Sequence, residues 1–176
     1  MNKIFEVPMY PYVRSTDQDA TTPVRHKVIV IGAGPVGLAA AIDLAQQGID
    51  VVVLDDNDKV SFGSRAICFA KRPLEILDRL GCGKPMVDKG VLWNLGKVFF
   101  GDRKVYDFNL LPETGHANPA FINLQQYYFE EYMVDRALAL QADIRQFANH
   151  SANVLDDAGL NTLSGLVQNK QFGLGR

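Results

Sequence analysis

Residues 28–41 read VIVIGAGPVGLAAA. Gly32, Gly34 and Gly37 fit the pattern G-x-G-x-x-G, with Ala33, Pro35 and Val36 filling the gaps. Three glycines at that spacing, between an apolar run and an alanine-rich one, suit a backbone that holds a diphosphate. Gly32 permits a tight turn. Gly34 lets the main chain approach the diphosphate where a Cβ would collide, and Gly37 lets the following helix pack closely on the strand. The anion then sits on the helix N-terminus, whose free N–H groups and dipole favour negative charge. Pro35 suits the first helical turn, where its missing N–H costs nothing.

The same pattern asks for a carboxylate about 20 residues further on, at the end of the next strand, to accept hydrogen bonds from a ribose diol. Asp55 stands there, after VVVL, and Asp56 beside it is the alternative. A carboxylate at that point disfavours a 2′-phosphate. The expected ligand is therefore an NAD- or FAD-type dinucleotide and not NADP.

These residues need a strand, a helix and a second strand to position them. Residues 27–31 form a β-branched run suited to a buried parallel strand. Residues 35–47 have helical apolar spacing, with Gly48 behind them as a stop. Residues 50–54 are a second buried strand, which completes a βαβ unit with a right-handed crossover expected. Ahead of it, residues 1–25 carry Pro8, Pro11, Pro23 and the polar stretch STDQDATT, which predicts an extended arm. After it come a polar loop over 55–63 and a helix over 65–80 closed by Gly81. Residues 91–100 and 104–108 flank Gly101-Asp102-Arg103, a hairpin signal. A further helix opens at Asn123 or Leu124 and runs to about residue 140, and a local strand fits 143–147. Lys71 and Arg72 read as a solvated helix start. Trp93, Phe99, Phe100, Tyr106 and Phe108 read as hairpin core, and Tyr127 and Tyr128 as packing residues.

Composition sets the outer limits. The 176 residues are 47% hydrophobic, enough for a buried core, and the formal charge of -2 is spread along the chain. That balance points away from a nucleic-acid surface or a polybasic membrane anchor. Cys68 and Cys82 lie in no metal-like spacing, and His26, His116 and His150 are far apart, so reduced thiols and no metal site are expected. No apolar run approaches the roughly 20 residues of a membrane span. The N-terminus lacks the apolar core of a signal peptide, and a cytoplasmic location is expected.

The stretch SFGSRAICFAKRPLEILDRLG at 61–81 adds a more specific signal. Taken with GAGPVGL, the acid after VVVL, and INLQQYYFEEYM at 122–133, it resembles the FAD-dependent aromatic hydroxylases. These are the group A flavoprotein monooxygenases typified by para-hydroxybenzoate and phenol hydroxylases, and the likeness is greatest to the 3-(3-hydroxyphenyl)propionate hydroxylase branch. The likeness spans roughly residues 6–140. It implies an α/β fold: a Rossmann-like FAD-binding βαβ of the glutathione-reductase type with an inserted antiparallel β-hairpin. It also implies that Arg65, with Ala66 behind it, reaches the FAD pyrophosphate and ribityl region. A guanidinium can grip two phosphate oxygens in a bidentate fork. Gln126 matches a glutamine at a helix start that contacts the ribityl–phosphate portion, with the adjacent Gln125 as the alternative match.

The activity implied by the resemblance is hydroxylation of a small phenolic substrate with O2, FAD being reduced by NAD(P)H and reacting through a flavin C4a-hydroperoxide. No catalytic residue is assigned. The family's downstream DG and GD motifs have no counterpart in a plausible setting, and residues 141–176 do not read like its usual continuation. The expectation is thus a truncated chain with an arm at 1–25, an incomplete FAD (ADP-moiety) domain at 26–140 and an atypical segment at 141–176. Core surface left uncovered in such a chain leaves room for a homo-oligomer. Two other readings stay open: a non-catalytic nucleotide-binding module, and a small NAD-binding Rossmann domain.

Overall fold

The computed structural model describes residues 6–11, 13–22, 24–55, 57–61 and 65–146. After a 3-10 turn at Thr16–Asp19, the elements run β1 (Val28–Ile31), α1 (Pro35–Gln46), β2 (Val51–Asp55), β3 (Cys68–Ala70), α2 (Lys71–Leu80), α3 (Gly83–Lys89) and β4 (Val91–Trp93). There follow β5 (Leu95–Phe100), β6 (Arg103–Asn109), β7 (Phe121–Asn123), α4 (Gln126–Ala139) and β8 (Asp143–Gln146). Among the described residues no helix is long and apolar enough to cross a membrane.

The first unit matches the reading from sequence in its elements and pairing, but not in the burial expected of its first strand: among the described residues β1 is an edge strand, and Ile29 and Ile31 are exposed. β1 and β2 pair in parallel, Val28 opposite Val51 through Ile31 opposite Leu54. α1 crosses between them and ends before Gly48, whose φ of 71° is one that glycine adopts without a Cβ penalty. Val51, Val52 and Val53 are all buried, which explains the unbroken apolar run. The strand expected near the C-terminus forms as β8 and pairs in parallel with β2, Val52 opposite Asp143 through Asp55 opposite Gln146. The three-stranded parallel sheet has the order β1-β2-β8, so its third strand lies past residue 140.

Two elements correct the sequence reading. The helix expected from 65 begins only at Lys71, because Cys68–Ala70 instead pairs antiparallel with β7. The strand expected over 91–100 divides at Asn94. Val91–Trp93 pairs with β7 in one sheet, and Leu95–Phe100 pairs with β6 in another. Trp93 packs on Phe121 with ring centroids 5.2 Å apart, and Phe108 covers Gly96, where a Cβ would meet its ring at 2.1 Å. The other hairpin aromatics are not core. Phe99 is 56% exposed, Phe100 79% and Tyr106 59%, since a two-stranded ribbon has no second layer to cover both faces.

The core sits between the parallel sheet and the helices. Leu38, Ala41 and Ile42 of α1 meet Val51 and Val53 of β2 and Met133, Val134 and Ala137 of α4. Leu74, Leu77 and Leu80 recur along one face of α2 and join the same cluster, as the i, i+3 rule for an amphipathic helix requires. Full burial of each Leu or Ile contributes about 1.5–3 kcal/mol. Phe69 of β3 stacks on Phe129 of α4, with centroids 4.4 Å apart and planes 9° apart, and so ties the antiparallel sheet to the parallel layer.

Candidate dinucleotide site

The glycine turn has the shape that its spacing predicts. Gly32 holds φ at 99°, in the region that favours glycine. A Cβ on Gly37 would lie 1.9 Å from the Gly32 carbonyl oxygen and 3.2 Å from Val30 Cγ1. Gly37 is therefore where α1 presses against the turn and β1. Gly34 is the opposite case: nothing lies within 4 Å of a Cβ built there. The space over Gly34 is open, as a backbone approached by a ligand needs. Pro35 is the first residue of α1. Leu38 N–H bonds the Gly34 carbonyl at 2.9 Å. The amides of Val36 and Gly37 precede that first rung and remain as donors at the positive end of the helix dipole. The Val36 side chain is 85% exposed.

Asp55 faces this turn. One carboxylate oxygen accepts Ala33 N–H at 2.5 Å, and the other accepts Asn57 N–H at 2.8 Å and Asn57 Nδ2–H at 3.0 Å. Gly32 N–H donates to the Leu54 carbonyl at 2.7 Å. The end of β2 thus holds the turn by one backbone and one side-chain bond. A carboxylate offers about four lone-pair positions, and bonds from the described residues occupy three of those on Asp55. Asp56, the alternative acid, lies outside the described residues.

An open cleft of about 280 Å³ joins these parts. Ala33, Gly34 and Asp55 form one wall, and Arg65, Lys59 and Tyr10 contribute to the others. Arg65 is exposed and has no ion-pair or hydrogen-bond partner among the described residues, so its guanidinium is available to an anion. Glu130, buried at 3% exposure, organises the cleft from below. Its carboxylate accepts Ser61 N–H at 2.6 Å, Ser61 Oγ–H at 2.7 Å and Gln126 Nε2–H at 2.6 Å. Gln126 also donates to Ser61 Oγ at 3.3 Å and accepts Ala66 N–H at 3.1 Å. In this arrangement Gln126 stands behind the cleft and holds the backbone next to Arg65. Gln125 is the exposed N-cap of α4, and its carbonyl accepts Tyr128 N–H at 3.1 Å.

The residues present fit a dinucleotide: an open glycine at a helix N-terminus for the diphosphate, an exposed arginine lining the same cleft and an inward-facing acid for the ribose. Sequence reasoning missed Glu130, Lys59 and Tyr10. The signal for Glu130 was its place four residues after Gln126, on the same helix face.

Comparison with known proteins decides the family. The model of the FAD binding domain family matches residues 25–165. The chain belongs to that family. This FAD binding domain is 31% identical over 119 residues to the rifampicin monooxygenase of Rhodococcus hoagii, a match covering 68% of the chain and 24% of that relative. It is 44% identical over 54 residues to the para-nitrophenol 4-monooxygenase of Pseudomonas sp. strain WBC-3, covering 31% of the chain and 13% of that relative. Among solved structures, the p-nitrophenol 4-monooxygenase of Pseudomonas putida DLL-E4 matches with a TM-score of 0.62 at 27% identity, covering 69% of the chain and 32% of that protein. The domain spans about a quarter of the length of the rifampicin monooxygenase. The resemblance to FAD-dependent aromatic hydroxylases and the FAD binding fold therefore stand on sequence and on structure.

Proposed function

We propose that this chain is the FAD-binding portion of an NAD(P)H-dependent flavin monooxygenase that hydroxylates phenolic aromatic compounds. The observation that carries this reading is the pairing of an unobstructed Gly34 with Asp55 turned towards the same cleft. In it, the amides of Gly34, Val36 and Gly37 at the head of α1 hold the pyrophosphate. Arg65, on the segment carrying Ala66, adds a fork of N–H donors to the phosphates. Asp55 takes the ribose, with Asp56 as its alternative, and Gln126 fixes Arg65 in place. Bound FAD, reduced by NAD(P)H, supplies the oxygen chemistry, and the chain's own residues supply position and charge.

The β1-α1-β2 unit and β8 are read as a Rossmann-like sheet of the glutathione-reductase type. The phenolic substrate class follows the sequence resemblance, and two of the matched relatives are named for para-nitrophenol. Residues 1–25 act as an arm, 26–140 as the main cofactor portion and 141–176 as a segment of separate character that contributes β8 to the sheet. A cytoplasmic location and self-association through the exposed hairpin complete the proposal.

Titration of the purified chain with FAD and NAD, side by side in a calorimeter, tests it. Tighter binding of FAD, with an oxidised-flavin absorption band retained after gel filtration, is the expected result. Binding of NAD alone would give the site to a nicotinamide dinucleotide, and binding of neither would remove the dinucleotide assignment.

A further inference from the structure

The family match begins at residue 25, yet Tyr10 lines the same cleft as Ala33, Gly34, Asp55 and Arg65. The arm that carries it is fastened in place. Met9 makes an antiparallel bridge to Lys59, and Tyr10 N–H donates to the Asp58 carbonyl at 2.7 Å. Both partners follow closely on Asp55, at the end of β2, so the arm is anchored on the side of the cleft where the ribose-binding acid stands. The Tyr10 ring packs against the hydrophobic core, while its hydroxyl has no hydrogen-bond partner among the described residues. Burial, followed by the carboxylates of Asp135 and Glu131 on α4, pushes the phenol up to about 12. It therefore stays protonated at neutral pH and can donate.

We infer that residues 6–11 form a strap over the cleft and that Tyr10 is a nucleotide-binding residue, its ring against the adenosine of a bound adenosine diphosphate moiety and its O–H donated to a sugar oxygen. This rests on the reading of the cleft as a dinucleotide site. A phenol ring offers a face on which a purine can stack and an edge that hydrogen-bonds, and stacking of aromatic groups contributes beyond their buried area. The strap adds a wall that the glycine turn and Asp55 do not provide.

Calorimetric titration of the full chain with ADP tests this. Tyr10→Ala should weaken ADP by about tenfold, and Tyr10→Phe, which keeps the ring, by a smaller factor of about three. Undiminished ADP affinity in Tyr10→Ala overturns the strap. Should Tyr10→Ala fail to fold, amide exchange in the wild-type chain decides instead. Saturating ADP should slow exchange at the Tyr10 amide by at least about tenfold, and an unchanged rate overturns the proposal. Wild-type chain that binds no ADP removes the cleft assignment underneath it, whereas wild-type binding with unaltered Tyr10→Ala removes the strap alone.

Discussion

The Asp55 carboxylate accepts the Ala33 amide across 2.5 Å, joining the end of β2 to the glycine turn. One side chain therefore shapes the turn and presents an acceptor to the cleft. Asp55→Ala leaves the Ala33 N–H without its acceptor and should cost about 1.5–3 kcal/mol of stability, the range for a hydrogen bond to a charged group. Nucleotide affinity should fall in the same variant. Urea unfolding and ADP titration check the two effects. A loss of affinity with full stability would mean that Asp55 serves the ligand only.

The glycines of the turn should separate by substitution. Gly34→Val should keep its fold, since Gly34 has φ of -75° and ψ of 179°, open to any residue before a proline, and nothing lies within 4 Å of its Cβ. The same change should abolish dinucleotide binding. Gly37→Val drives a side chain into the Gly32 carbonyl and should destabilise by about 3 kcal/mol. Thermal unfolding of both variants, with FAD titration of the first, provides the comparison. Unchanged FAD affinity in Gly34→Val would refute the pyrophosphate assignment.

Arg65→Ala should leave the melting temperature near that of the wild type, because Arg65 is exposed and holds no partner among the described residues. Affinity for ADP should drop by about ten- to a hundredfold, while affinity for adenosine stays the same, because only ADP carries the diphosphate. Arg65→Lys should recover only part of the loss, since an ammonium cannot form the bidentate fork. Equal losses for ADP and adenosine would show that Arg65 acts through the fold.

The arm has its own electrostatic clasp. Asp17 accepts Arg145 Nη1–H at 2.5 Å and pairs with His26 Nε2 at 2.7 Å. The Arg145 hydrogen bond, aided by His26, holds the Asp17 carboxyl below the usual carboxylate range. Its folded value is thus depressed relative to the unfolded one. The clasp is fully present above the unfolded value of about 3.9 and is lost as pH falls through the lower folded value. The difference in melting temperature between wild type and Asp17→Asn should be larger near pH 5 than below about pH 4, where the carboxylate takes up its proton. A difference that persists in acid would mean that the carboxylate charge is not what fastens the arm.

Legibility in the sequence followed the range of the interactions. Gly32, Gly34, Gly37 and Asp55 could be read because a turn and its flanking strand and helix are set by neighbours along the chain. Gly48 and Gly81 marked helix ends for the same reason, each with positive φ. The 65–70 segment could not. Its apolar residues suit a helix, and only its distant partner, Phe121–Asn123, makes part of it a strand. Val91–Trp93 was misassigned for the same cause. The hairpin aromatics showed the limit of reading burial from residue type, because the second layer that would cover them is a tertiary fact. Glu130 was passed over because acids on helices usually face water, and Ser61 and Gln126, which satisfy it, come from two separate segments.

The pairing of β8 with β2 has a consequence for biosynthesis. β1, α1 and β2 are contiguous in the chain, whereas β8 arrives only after α4. Until then one flank of β2 carries bare main-chain N–H and C=O groups, the kind of edge that invites pairing with another nascent polypeptide. Ile144, which lines the cleft from β8, is also missing at that stage. Completion of the cleft thus waits for one of the last described segments to be translated, and premature termination before Asp143 would release a species disposed to aggregate.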